Sequence, residues 1–555
     1  MGSHRFDRGW LIAVAVVTAI ALLASSCGKS SGGDQATGDT QGAGAGKGIE
    51  AAEGSPVDGG SLVVGVTAET NGWNPAMAQW ADAGSLVGSS VLEPLAAIGP
   101  DKGAKPWLAD SWIANDTFDS WVIHLHPGVT FQDGEAFTAD VVKKNIEFYL
   151  SGTLSKIALG PMIDGVEVVD PLTVQVNLKQ PWGAFPSAWM MGSSYMMAPA
   201  MLDSTDNGRD HPIGTGPFTF DSWESGSSFK VKKNPTYWQA GLPHLDSIEF
   251  RVIPDETSRV AALTSGDVNM ILTTRAADAK DLAATDTVVK DWTTENAFVM
   301  TNTSSTLKGE RNPLANSHAR RALAYATDRE AVASLIGEGI EIPTSPWSTS
   351  SPWGMPDAQN GYVDFDLDKA KAEVAEYQKE TGEATLTFTL SGLPGIDDIK
   401  VLQLVQSQWK EAGIEVNIET LEQTAYITKI ATGDYQAAFF RNYGYADPDS
   451  NFSFWSSTTA KGAGTLSINF TQFSSPKLDE DVNTGRRSGY PNVRKEAYDD
   501  LVRQLNAATT NIWLYRTPYS IIADPQVHGF TTAREVGFGN FQPKTWLGQL
   551  WRAQS

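Results

Sequence analysis

The chain has 555 residues with 65 acidic against 42 basic side chains, a formal charge of -23. So acidic a surface repels phosphate backbones, which argues against nucleic acid and anionic lipid as partners, and the length exceeds what one hydrophobic core spans, so two or more lobes are expected. The single cysteine, Cys27, excludes an internal disulfide.

Taken in chain order, Arg5 and Arg8 precede an apolar run over 10–24 that stops at Ala24-Ser25-Ser26-Cys27. The run is shorter than the roughly 20 residues a membrane-spanning helix needs. Small residues precede its end, so residues 1–26 read as a cleaved secretory signal. Cys27 at the cleavage point resembles a bacterial lipobox, with Ala24 where that motif usually has Leu. The resemblance implies diacylglyceryl attachment to Cys27; the plainer reading is an ordinary signal peptide with an incidental cysteine. Two or more acyl chains anchor far better than one, so the first reading places the mature chain on the outer face of the cytoplasmic membrane. Residues 28–59 are rich in Gly and Ser, with hardly a large apolar side chain, and are expected to form a flexible tether. Residues 42–48 are only faintly like a phosphate loop, since neither Ser nor Thr follows Lys47 and no strand precedes.

Order is expected to begin at 61–66, an apolar, β-branched run that reads as a buried strand. A strand over 121–126 is closed by Pro127-Gly128, and a helix from Thr138-Ala139-Asp140 carries Val141, Val142, Ile146 and Tyr149 at helical spacing. Strands follow at 166–169 and 174–178, then a strand at 248–253 and a helix at 257–264. Thr327-Asp328-Arg329-Glu330 reads as a capping box with the Thr hydroxyl as the cap. A helix over 399–412 ends at Gly413, and Ile414, Val416 and Ile418 alternate as a strand; 435–440 is another. The rhythm implies α/β lobes with mostly parallel or mixed sheets, and no internal repeat is evident.

Several phrases are distinctive: Glu93-Pro94-Leu95, 106–112 (Pro-Trp-Leu-Ala-Asp-Ser-Trp), 126–131 (His-Pro-Gly-Val-Thr-Phe), 212–218 (Pro-Ile-Gly-Thr-Gly-Pro-Phe), 234–238 (Asn-Pro-Thr-Tyr-Trp), 255–259 (Asp-Glu-Thr-Ser-Arg) and 266–269 (Gly-Asp-Val-Asn). Over about 61–551 the chain resembles the solute-binding lipoproteins of peptide-type (dipeptide, oligopeptide, nickel) ABC importers, the family 5 extracellular solute-binding proteins. The resemblance implies a two-lobed periplasmic-binding-protein-like fold of class II type. Lobe I would span 60–300 with an extra subdomain inserted at about 93–210, lobe II 301–520, and residues 521–555 would return to lobe I. The chain would cross between lobes near Thr301 and Ile521. Within these phrases, Gly214, Gly216 and Pro217 suggest a tight turn with unusual backbone angles, and Trp107 and Trp112 suggest a covered core.

Residues 441–452 fall where members of the family line the cleft. Dipeptide and oligopeptide binders commonly carry an aspartate three residues before the Asp-Pro position, paired with the ligand's α-ammonium; here that position is Gly444. An ammonium buried without its carboxylate is costly, so a simple peptide mode is in question; Asp447 or Asp449 could substitute, or cap the following turn. Asn442, Tyr443 and Tyr445 belong to the same segment. Tyr443, Tyr445, Phe452, Phe454 and Trp455 make it aromatic, and with Trp73, Trp347 and Trp353 they suggest an indole-lined cleft, although core packing uses such rings too. The expected ligand residues are Trp73, Asn442, Tyr443, Gly444, Tyr445, Asp447 and Trp455.

No set of residues for catalysis stands out, and no cofactor is expected. His124 and His126 share a strand face without a third ligand. Asp479, Asp481 and Asn483 open like a calcium loop, but the glycine comes late, at Gly485, no glutamate closes the loop, and a helix after Ser475-Pro476 accounts for them. The expected function is a monomeric, membrane-anchored receptor that captures a peptide or peptide-like oligomer and delivers it to an ABC permease and ATPase. Oligosaccharide or another polar solute is the alternative ligand, and a sensor or chaperone uncoupled from transport the alternative role.

Overall fold

The computed structural model describes residues 54–78, 80–152, 155–290, 295–530, 537–538 and 546–553; Cys27, the expected signal and most of the tether lie outside them. The apolar strand Ser61–Val66 is central in a seven-stranded mixed sheet, parallel to Ser247–Val252 and Met270–Thr273. Its continuous apolar sequence fits burial on both faces. Ser520–Ala523 enters the same sheet antiparallel, between Met270–Thr273 and Thr287–Lys290, so the chain's end returns to the sheet it started in.

Residues 93–210 contain a separate four-stranded antiparallel sheet in the order Ala109–Ala114, Ser120–Leu125, Thr173–Leu178, Ile163–Asp170. Period-two alternation turns Trp121, Ile123, Leu125, Val174 and Val176 inward, and helix Ala139–Ser151 covers them with Val142, Ile146 and Tyr149. A second large sheet, of five strands, runs Ile414–Thr420, Leu386–Gly392, Ala437–Tyr443, Glu295–Thr301, Asn511–Arg516. Helix Ile396–Glu411 packs on it through Val401, Leu402, Val405 and Trp409, and Gly413, at φ +83°, turns the chain into the next strand. Glu295–Thr301 already belongs to this sheet, so its crossing from the first sheet precedes Thr301.

Two local expectations are corrected. Asp328, not Thr327, caps helix Arg329–Ile336, its carboxylate accepting from the Ala331 N–H at 3.0 Å. Thr327 is buried, so its hydroxyl donates inward to the Leu323 carbonyl and accepts from the Trp409 indole at 2.9 Å. Gly214 and Gly216 do not adopt left-handed angles; a Cβ on either would lie 2.2 or 2.6 Å from the Val91 carbonyl oxygen. Close approach of two chains, not a special φ, requires glycine there.

The distinctive phrases meet at buried polar hubs. Glu93 is fully buried, and its carboxylate accepts from the Trp107 and Trp238 indoles, the Thr215 hydroxyl and the Tyr237 hydroxyl at 2.6–2.9 Å. Gln132 nearby accepts from the Gly214 N–H and donates to the Phe218 carbonyl. Asp255 caps helix Glu256–Ser265, and Arg259, also buried, pairs with Glu256 at 2.6 Å while donating to the carbonyls of Ile253 and Leu272. These residues tie the helices and loops of the first lobe to its sheet.

Candidate functional site

Between the lobes lies a cavity of about 980 Å³, at the upper end of the roughly 300–1,000 Å³ of small-molecule sites. One wall comes from residues 75–85 with Tyr149, Trp182, Trp189 and Tyr195; the other from 445–459 with Asn483, Arg486 and Arg487. Indole and phenol faces alternate with small polar side chains such as Ser85, Ser187, Ser193 and Thr458. Among the described residues, its charged lining side chains are Asp447, Asp449, Arg486 and Arg487.

Strand Ala437–Tyr443 delivers the second wall. Beyond it, Tyr445 turns at φ +39°, an uncommon angle for a side chain this large. Its hydroxyl is pushed up to about 12 by burial, with the charge of Asp82 adding to the shift. Asp447 then caps the short turn Pro448–Asn451, accepting from the Asp449 N–H at 2.9 Å. Its carboxylate also accepts from Arg494 Nη2 at 2.6 Å and from the Ser187 hydroxyl of the opposite wall. Asp449 accepts from Arg486 Nε at 2.8 Å and from the Trp182 indole, again across the cleft, at 2.7 Å. The Arg486 guanidinium lies 3.5 Å over the Phe452 ring, a cation–π contact that holds it against this wall. Each buried carboxylate of the cavity thus has its own arginine.

Of the expected ligand residues, Tyr445 and Asp447 line this cavity. Gly444 is buried next to Tyr445. Asn442 and Trp455 line a smaller hollow behind the wall, where Trp455 packs edge-on against Trp347 at 5.4 Å in a helix-covered core. Trp73 packs in the core of the first sheet, 4.1 Å from the Phe229 ring; its neighbour Trp80 is the indole that reaches the cavity. The Tyr443 side chain lies outside the described part, although its backbone pairs with Glu295. Trp182 and Arg486 were not anticipated. Only their position opposite and beside Asp449, in chain segments far from it, marks them, and a sequence does not display that proximity.

At the start of strand Glu295–Thr301, where the chain enters the second large sheet, Glu295 is buried with Arg441 4.0 Å away and the Tyr519 hydroxyl donating to it at 3.2 Å. Burial pushes its carboxyl up to about 7; Arg441 opposes the shift and Asp82 adds to it. Among the described residues no cluster of three or more His, Cys, Asp or Glu side chains could hold a metal ion. Asp479 and Asp481 lie in helix Pro476–Arg487 and bond to Ser457 and to Gln504 and Lys477. No described helix is long and apolar enough to cross a membrane.

Residues 103–463 match the family described as "Bacterial extracellular solute-binding proteins, family 5 Middle". The chain is similar to the glutathione-binding protein GsiB of Pectobacterium atrosepticum, 28% identical over 453 residues, covering 78% of this chain and 82% of that protein. Its fold is similar to that of the substrate-binding protein CtaP of Listeria monocytogenes, with TM-score 0.75, 21% identity and coverage of 90% and 100% of the two chains. It is also similar to the oligopeptide-binding protein AppA of Bacillus subtilis, solved with a nonapeptide, at TM-score 0.73, 23% identity and the same coverage.

Proposed function

The chain belongs to the family 5 bacterial extracellular solute-binding proteins, and from that premise we propose that it is the receptor of a peptide-type ABC importer, tethered through lipid on Cys27. It acts as a monomer, closes its lobes on a short peptide or peptide-like oligomer, and presents it to a permease and ATPase. The resemblance to proteins that bind glutathione and a nonapeptide supports the solute class. The observation that carries the reading is the charge state of the cavity wall. Asp447 and Asp449 are matched by Arg494 and Arg486, and Gly444 supplies no carboxylate. A ligand with a free ammonium would be desolvated there without a partner, at a cost of several kcal/mol, so the ligand's amino end is blocked, neutral or left at the cavity's edge. Trp80, Trp182 and Tyr445 offer flat apolar faces for the rest of the chain. The same faces favour the second reading, an oligosaccharide, since sugar rings stack on indoles.

Native mass spectrometry of the mature protein against pooled short peptides and pooled oligosaccharides separates the two. Retention of peptides supports the proposal; retention of sugars alone replaces it with the second reading.

A further inference from the structure

Lobe-to-lobe contact extends beyond the cavity itself. Beside its lining residues Trp182 and Arg487, the loop after strand Thr173–Leu178 meets the end of helix Pro476–Arg487. The last four carbonyls of any helix lack intrahelical partners; here those of Arg486 and Arg487 accept from the Ala184 and Gly183 N–H groups of the opposite lobe at 3.1 and 3.2 Å. The chains touch so closely that a Cβ on Gly183 would sit 2.1 Å from the Ser488 carbonyl carbon and 2.2 Å from the Gly489 nitrogen. A Cβ on Gly489 would sit 2.3 Å from the Phe118 ring, and Phe118 meets Tyr490 edge-on at 5.6 Å. The Trp182–Asp449 and Ser187–Asp447 bonds span the same gap.

We propose that these contacts form a latch that closes the cleft without ligand, with Gly183 and Trp182 as positioning residues for capture. The bonds join lobe to lobe directly, so the closed state has favourable contacts of its own, and solute adds to an equilibrium already shifted toward closure. Asp447 and Asp449 serve the latch and not ligand charge. The inference rests on the two-lobed fold and not on which solute fills the cavity.

Gly183→Val tests it, because the first added atom already collides with the Ser488 and Gly489 backbone of the other lobe. Spin labels on Asp164→Cys and Glu496→Cys, both exposed and one on each lobe, with Cys27→Ser, report the interlobe distance with no solute present. The native chain should show a short-distance population that disappears in Gly183→Val and shrinks at least two-fold in Trp182→Phe, which keeps a ring but loses the indole donor. A native chain with only the long distance overturns the proposal. So does a Gly183→Val distribution equal to the native one. Should Gly183→Val not fold, Trp182→Phe decides alone, and an unchanged distribution counts against the latch.

Discussion

At the scale of single residues, the buried hubs explain why particular side chains recur in the distinctive phrases. Glu93 accepts four donors from three separate segments. Glu93→Gln keeps the shape but turns an amide N–H toward groups that can only donate or that already do, so it should destabilise the first lobe by about 2–4 kcal/mol, read as a lower urea midpoint at unchanged slope. The phrase was legible as a motif, yet its role was not, because the partners of Glu93 lie 14–145 positions away. The aromatic residues illustrate a different gap. Trp455 sits in an aromatic segment beside the cleft, but its ring faces Trp347 in the core behind the wall. Trp455→Ala should therefore act first on folding, costing about 3–5 kcal/mol, and a loss of affinity with unchanged stability would place the ring in the cavity instead. Stacking on ligand and packing in a core use the same residue type, so composition could not separate them.

At the scale of elements, periodicity was an effective guide. Ser61–Val66 begins and ends where its apolar run does, and the strand after Gly413 follows from alternation. Caps were harder, since Thr327 and Asp328 are equally good candidates until burial assigns the hydroxyl inward. The turn Pro448–Asn451 is held by two buried ion pairs. Arg494→Leu would leave the Asp447 carboxylate buried without its cation, and we expect a loss of about 3–5 kcal/mol, measured by chemical denaturation; partial recovery with Asp447→Asn added would confirm the coupling. At the crossing strand, the Glu295 carboxyl lies at about 7 against an ordinary 4.5. A carboxyl raised in the folded state contributes stability that is complete below about pH 4.5 and is lost as pH rises through 7. Relative to Glu295→Gln, the native protein should lose up to about 3 kcal/mol between pH 4.5 and 8. A stability difference that is flat across this window would show that Arg441 keeps the group ionised.

At the scale of the whole molecule, the two-lobed α/β architecture was legible from motif order, while the position of the cavity was not. Five segments spread over the sequence, within 75–85, 149–161, 180–195, 445–459 and 483–487, build its walls, and the contacts of Trp182 with Asp449 exist only once the lobes meet. The absent carboxylate at Gly444 was legible; that both nearby aspartates are already matched by arginines required the fold. If Cys27 carries the anchor, Cys27→Ser should release the protein to the medium or leave an uncleaved precursor, and mass spectrometry of membrane-extracted protein finding an unmodified Cys27 would remove lipid from the account. The central claim, a peptide-type receptor whose cleft reads no α-ammonium, is tested most directly by calorimetry on one retained peptide in free and N-acetylated forms. Affinity for the acetylated form equal to or higher than that for the free peptide is the result expected; a ten-fold or greater loss on acetylation would contradict it.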